Sequence, residues 1–204
     1  MKEHKSDSKV RRLAIAGLMA ALCFVGYTVF PSFSASGTKI HIGNSFVVIA
    51  ALLLGGPYGG LAGAVGLTIA DLVGGYAESA PRTFITKLII GLVVGLIAHK
   101  IAKLSEDHSK KYITAITILA SVGGLGVNLA VEPSLKWLWY TILIPNADKT
   151  QSAIASLMAI TTYSTLINTV VNTVIASVLY LALRPALKKA GLFNGLQPPR
   201  KSSK

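Results

Sequence analysis

Charged side chains are scarce in this chain, at 14% of 204 residues; an ordinary soluble domain carries about 25%. Acid is scarcer still, with 8 Asp and Glu against 20 Lys and Arg. There is one cysteine, Cys23, so no internal disulfide can form and a cystine-stapled secreted scaffold is excluded. No G-x-x-x-x-G-K-[ST] stretch occurs, which leaves the chain without a P-loop for hydrolysing ATP. H-E-x-x-H and G-x-S-x-G are missing as well. His4, His41, His99 and His108 have no ligand spacing, so neither a metal nor a cofactor is expected.

What the chain has is apolar surface, 52% of its residues, and 19 glycines, a residue frequent in membrane helices. A net charge of +12 would ordinarily suggest nucleic acid. Its distribution argues against that partner. The positive charges gather in an N-terminal tail (Lys2 to Arg12), a middle stretch (Lys100 to Lys111) and a C-terminal tail (Arg184 to Lys204), separated by apolar runs. Loops on one side of a bilayer, beside anionic lipid, have this pattern.

A helical span takes about 20 mostly apolar residues. Six segments are expected, at about 10–30, 45–54, 61–76, 81–102, 112–131 and 153–183. The second is short and the sixth is long. A polar loop, PSFSASGTKIHIGN, separates the first two, and a long loop, EPSLKWLWYTILIPNADKTQ, separates the last two. The fold class is therefore an all-α integral membrane protein, a bundle of six transmembrane helices. With an even number of spans and the basic clusters inside, both termini are cytoplasmic. Residues 1–9 form a basic tail, 10–187 the membrane domain, and 188–204 a second basic tail, expected to be disordered.

Ionisable residues inside spans face protein or a water-filled cavity and usually serve function. Asp71 and Lys87 fall at the outer ends of the third and fourth segments, at a depth of roughly 7–9 Å. They suit a pair that offers hydrogen bonds to a polar ligand, or one that merely joins two helices. Thr161, Thr165, Asn168 and Asn172 share one face of the sixth segment. Asn168 is assigned to ligand contact and Asn172 to interhelical hydrogen bonding. Asn128 and Glu132 are one turn apart. Trp137, Trp139 and Tyr140 suit either an interfacial aromatic belt or a lid over a flat heterocycle. Asn44, Tyr76 and His41 are further lid candidates, though a lone histidine is more often an ordinary loop residue. In the first segment Ala16 and Ala20, and likewise Gly17 and Ala21, are small residues four apart, a spacing that lets another helix approach closely.

The stretch HIGNSFVVIAALLLGGPYGGLAGAVGLTIADLVGGYAESAPRTFITKLIIGLVVG resembles the substrate-binding S components of energy-coupling-factor (ECF) transporters. The resemblance rests on Gly43-Asn44, the GP turn, Ala70-Asp71-Leu72 with Gly74-Gly75-Tyr76, Pro81 and Lys87. It is closest to the hydroxymethylpyrimidine and pyridoxine group, although Asn44 stands where that group often has Asp. It implies a capture subunit in a prokaryotic plasma membrane, with a transmembrane coupling subunit and two ATPase subunits as partners and a small water-soluble vitamin as ligand. Asn44, Asp71, Tyr76, Lys87, Asn128, Glu132, Trp139 and Asn168 would bind that ligand. Ala16 and Ala20 would meet the coupling subunit. Pantothenate and riboflavin are alternative ligands, and a stand-alone ion-coupled transporter is the alternative class.

Overall fold

The computed structural model describes residues 3–29, 33–35, 38–143 and 150–190. They form six α-helices and one β-hairpin: α1 (Glu3–Thr28), β1 (Phe33–Ala35), β2 (Thr38–Ile40), α2 (Gly43–Leu54), α3 (Gly56–Val73), α4 (Ala80–Gly95), α5 (Lys110–Leu138) and α6 (Gln151–Lys189). A π-helical segment prolongs α4 through Leu96–Ile101, and another prolongs α5 through Trp139–Leu143. Four stretches are long and apolar enough to cross a membrane: Lys9–Thr28, Ala80–Ile101, Lys110–Leu143 and Gln151–Lys189.

Of the two remaining helices, α2 forms the centre of the bundle, while α3 keeps one face exposed through Leu61, Val65, Ile69 and Leu72. All of α2 except Phe46 is buried. At 12 residues it extends about 18 Å, less than the thickness of a hydrocarbon core. A helix that meets only protein can be apolar on every side and still short. Helix α3 packs on α1, α2 and α4, while α5 packs between α4 and α6.

Close approach around α3 depends on missing side chains. A Cβ on Gly91 would lie 2.2 Å from the Cα of Gly60, so α3 and α4 meet at their backbones. The turn from α2 to α3 passes through Gly55 at φ +85°, where a side chain would be strained, and Pro57 then opens α3.

Three expectations change here. The polar segment after α1 contains an antiparallel hairpin, with Phe33 opposite Ile40 and Ala35 opposite Thr38. Helix α5 does not stop at Val131. It runs through Pro133 to Leu138 and its π-helical extension, and beyond the proline the residue it buries is Lys136. Trp137, Trp139 and Lys136 therefore stand on a helix and not in a loop; of the expected loop, residues 144–149 lie outside the described residues, as does most of the C-terminal tail. Finally, Ala16 is buried, and the backbone of Ala20 sits against Gly66 of α3, whose Cβ would come within 2.2 Å of the Ala20 carbonyl oxygen. Ala16 thus packs inside the bundle, and Ala20 is half-buried against α3. The exposed small pair on α1 is Gly17 and Ala21.

At the end of the bundle away from the hairpin, polar contacts tie connections to helices. Arg184 donates to the Leu104 carbonyl, Tyr112 to the Ala102 carbonyl, and Lys188 pairs with Asp107.

Candidate ligand-binding cavity

At the hairpin end of the bundle is a polar cavity of about 80 Å³. Its walls come from every part of the fold: Tyr27 of α1, Lys39 of β2, His41 and Asn44 at the start of α2, and Leu67 and Asp71 of α3. Tyr76 and Ser79 follow from the connection, Arg82, Thr83 and Lys87 from α4, Asn128, Glu132 and Lys136 from α5, and Thr165 and Asn168 from α6. Helical periodicity explains the groupings. Residues 128, 132 and 136 recur every four residues along one face of α5, and 83 and 87 do the same on α4.

The expected pairing of Asp71 with Lys87 is replaced by two others. Lys87 Nζ lies 3.8 Å from Glu132 Oε2, which joins α4 to α5. Asp71 accepts hydrogen bonds from Tyr27 Oη, at 2.7 Å, and from Thr83 Oγ1, which joins α3 to α1 and α4. A carboxylate with two hydroxyl donors has part of its acceptor capacity met without a cation. Lys87 is differently placed. Among the described residues no acceptor lies within hydrogen-bonding distance of its ammonium, although the residue is 6% exposed.

Two asparagines of α6 fasten the hairpin. Asn168 Oδ1 accepts from the His41 backbone N–H at 3.1 Å, and its Nδ2 donates to the Lys39 carbonyl at 2.9 Å. Asn172 accepts from Ser45 N–H at 2.8 Å and from Ser45 Oγ at 2.7 Å, and donates to the His41 carbonyl at 3.0 Å. Asn172 thus has the interhelical role expected of it. Asn168 lines the cavity, but both ends of its amide hold backbone. The amides of Asn44 and Asn128 are free to do otherwise: among the described residues their Oδ1 atoms are buried without a hydrogen-bond partner. Buried acceptors of this kind are costly unless something else supplies a donor.

The hairpin brings two more groups. Lys39 donates to the Tyr27 carbonyl at 2.8 Å, with its ammonium 4.0 Å from the centre of the Tyr27 ring. Partial burial lowers its pKa, and Asp71 opposes the shift. His41 is buried edge-on to Tyr27, and its Nδ1 accepts from the Gly43 N–H, so the neutral ring carries its proton on Nε2. Burial, then Lys87 and Lys39, holds the His41 pKa well below the usual histidine value, so His41 is neutral at physiological pH.

Seven of the eight residues expected to bind ligand line this cavity: Asn44, Asp71, Tyr76, Lys87, Asn128, Glu132 and Asn168. Trp139 does not; it stands beside the Arg82 guanidinium, which is 5.8 Å from the Trp139 ring centre and 5.6 Å from that of Tyr140. Tyr27, Thr83, Arg82 and Lys136 were not singled out from sequence. The interval Asn128–Glu132–Lys136 is a signal for Lys136, obscured by ending the helix before Pro133. Among the described residues no group of three or more His, Cys, Asp or Glu side chains is arranged to hold a metal.

A membrane-crossing helical bundle with a charged, hydrogen-bonding cavity at one end is a solute-binding membrane protein. The sequence pattern of the family described as "ECF-type riboflavin transporter, S component" matches residues 7–185, and the chain belongs to that family. It is accordingly a multi-pass membrane protein and a vitamin-binding ECF transporter subunit, not an enzyme. Comparison with curated proteins and with solved structures gave no match.

Proposed function

We propose that this chain captures a small water-soluble vitamin or vitamin precursor in the cavity at the hairpin end, which would face the outside of a prokaryotic cell. The observation that carries this reading is the cavity itself. Six charged side chains, with several amides and hydroxyls, converge on it in a chain that is otherwise poor in charge. Ligand size supports a single ring over three fused rings. A cavity of roughly 150 Å³ accommodates benzene, so a space of about 80 Å³ must widen for one ring and far more for riboflavin. Pyridoxine, hydroxymethylpyrimidine and pantothenate are of the favoured size.

Energy would come from a transmembrane coupling subunit and two ATPase subunits. The face of α1 available to a partner helix carries Leu13, Gly17 and Ala21, which are exposed. The basic connection and both tails would be cytoplasmic. The test is titration of the purified chain in detergent with a panel of B vitamins, without ATP, by calorimetry and tryptophan fluorescence. Saturable submicromolar binding of one compound supports capture; no binding by either readout overturns it.

A further inference from the structure

Many polar side chains buried in the bundle are spent on backbone. Thr117 donates to the Ile113 carbonyl, Ser121 to the Thr117 carbonyl and Thr169 to the Leu125 carbonyl, while Asn168 and Asn172 hold the hairpin. Two amides at the cavity depart from this. Asn44 Oδ1 and Asn128 Oδ1 are buried with no hydrogen-bond partner among the described residues. The two residues are 2% and 4% exposed, and both line the cavity. Hydroxyls elsewhere, such as those of Thr173 and Ser177, also lack a partner. A hydroxyl can rotate toward a carbonyl of its own helix, whereas an amide oxygen can only accept.

The structural work open to each asparagine is done by another residue. Asn44 lies in the first turn of α2, where a short amide often satisfies a free N–H. There the Gly43 N–H goes to His41 Nδ1, and the Ser45 N–H to Asn172 Oδ1 and the Ile42 carbonyl. Asn128 stands inside α5, where an amide could join two helices. The hydroxyl of Thr169 joins α6 to α5 instead, through the Leu125 carbonyl. Two acceptors on different helices thus meet one cavity without a donor among the described residues. An acceptor so buried is costly until a donor reaches it.

We infer that the captured molecule gives hydroxyl or N–H hydrogens to Asn44 Oδ1 and Asn128 Oδ1, and that these two oxygens select a donor-bearing ligand. This rests on the capture reading and narrows its ligand. The class is rings or chains that carry hydroxyl or amino groups. A compound with acceptors alone leaves both oxygens unpaired, and a site built to hydrogen-bond a ligand discriminates strongly against such an analogue.

The experiment is calorimetric titration of the detergent-purified full chain with compounds paired by loss of a donor. The pairs are pyridoxine and 4-deoxypyridoxine, hydroxymethylpyrimidine and its deoxy analogue 4-amino-2,5-dimethylpyrimidine, and riboflavin and lumiflavin, with donor-free nicotinate added. The expected strongest ligand is the parent of a pair, bound at least about tenfold tighter than its analogue. Asn44→Leu and Asn128→Leu should each narrow that ratio. Asn44→Asp and Asn128→Asp, which keep an acceptor in place, should preserve it, as should Lys188→Gln at the far end of α6. The wild-type comparison stands even if a leucine variant fails to fold. An analogue that binds as tightly as its parent, a ratio unchanged in both leucine variants, or nicotinate as the strongest ligand overturns the inference and leaves capture standing. Binding of nothing in the panel overturns both.

Discussion

Lys87 reaches across from α4 to Glu132 on α5, 3.8 Å away, while Asp71 on the neighbouring α3 is held by the hydroxyls of Tyr27 and Thr83. The two carboxylates therefore have separate work. Asp71 fastens α3 to α1 and α4, and Glu132 offsets part of the positive charge in the cavity.

The division is testable by substitution. Asp71→Asn keeps the shape but weakens two charge-assisted hydrogen bonds, so it should cost about 1–3 kcal/mol of stability. Glu132→Gln should change stability less, since its contact with Lys87 is long and Glu132 is partly exposed, and should change ligand affinity more. Thermal unfolding in detergent and calorimetric titration separate the two effects. Equal losses of stability in both variants would contradict the division.

Asn172 and Asn168 differ in what they hold. Asn172→Ala takes the amide donor from the His41 carbonyl and the acceptor from Ser45 Oγ, while Ser45 N–H keeps its bond to the Ile42 carbonyl at 3.0 Å; unfolding should become easier by about 1–3 kcal/mol. Asn168→Ala frees the hairpin backbone at Lys39 and His41. Hydrogen exchange of residues 38–41 should rise in Asn168→Ala, with a smaller change in melting temperature than for Asn172→Ala.

The α3–α4 contact predicts a contrast between glycines. Gly91→Leu must push α4 away from Gly60 and should lower stability by about 1–3 kcal/mol or abolish a monodisperse product. A Cβ on Gly17 meets nothing within 4 Å, so Gly17→Ala should alter stability by no more than about 0.5 kcal/mol. Size-exclusion profiles and melting temperatures report both.

For α1, Gly17→Trp or Ala21→Trp should stop vitamin uptake in cells that contain the full transporter, while the purified variant keeps its ligand affinity. Ala16→Trp should disrupt the bundle itself, because Ala16 is buried. Normal uptake by both outward-facing variants would remove this face of α1 as the partner contact.

His41 sets the sign of an acid effect. Its folded pKa lies below the unfolded value of 6.5, so the unfolded chain binds the extra proton first. The stabilising effect of neutral His41 is complete above pH 6.5 and is lost progressively below it, as pH falls toward the folded pKa. The melting temperature should therefore drop between roughly pH 7 and pH 5, and His41→Gln should flatten that drop. An identical slope in the variant would assign the drop to other groups.

Much of this molecule was legible before any coordinates. Hydropathy marked the six helices, of which four are long and apolar enough to cross a membrane. The rarity of charge in those segments singled out Asp71 and Lys87, and helical spacing picked out Asn128, Glu132 and Asn168; the structure gathers these around one cavity. The shared face of Thr161, Thr165, Asn168 and Asn172 followed from a spacing of 3.6 residues per turn. What depended on tertiary structure was which neighbour each side chain meets. Asp71 and Lys87 are near in sequence and similar in depth, yet Lys87 faces Glu132, because the rotation of α4 is set by its glycine contact with α3 and its packing on α5. Ala16 and Gly17 are adjacent small residues, but only the position of α3 against α1 decides that the first is buried and the second exposed. Lys136 became a cavity residue because α5 continued through Pro133 with its four-residue period from Asn128 and Glu132 unbroken. Local sequence determines periodicity and depth in a membrane; helix rotation and register come from contacts between segments, which no single segment encodes.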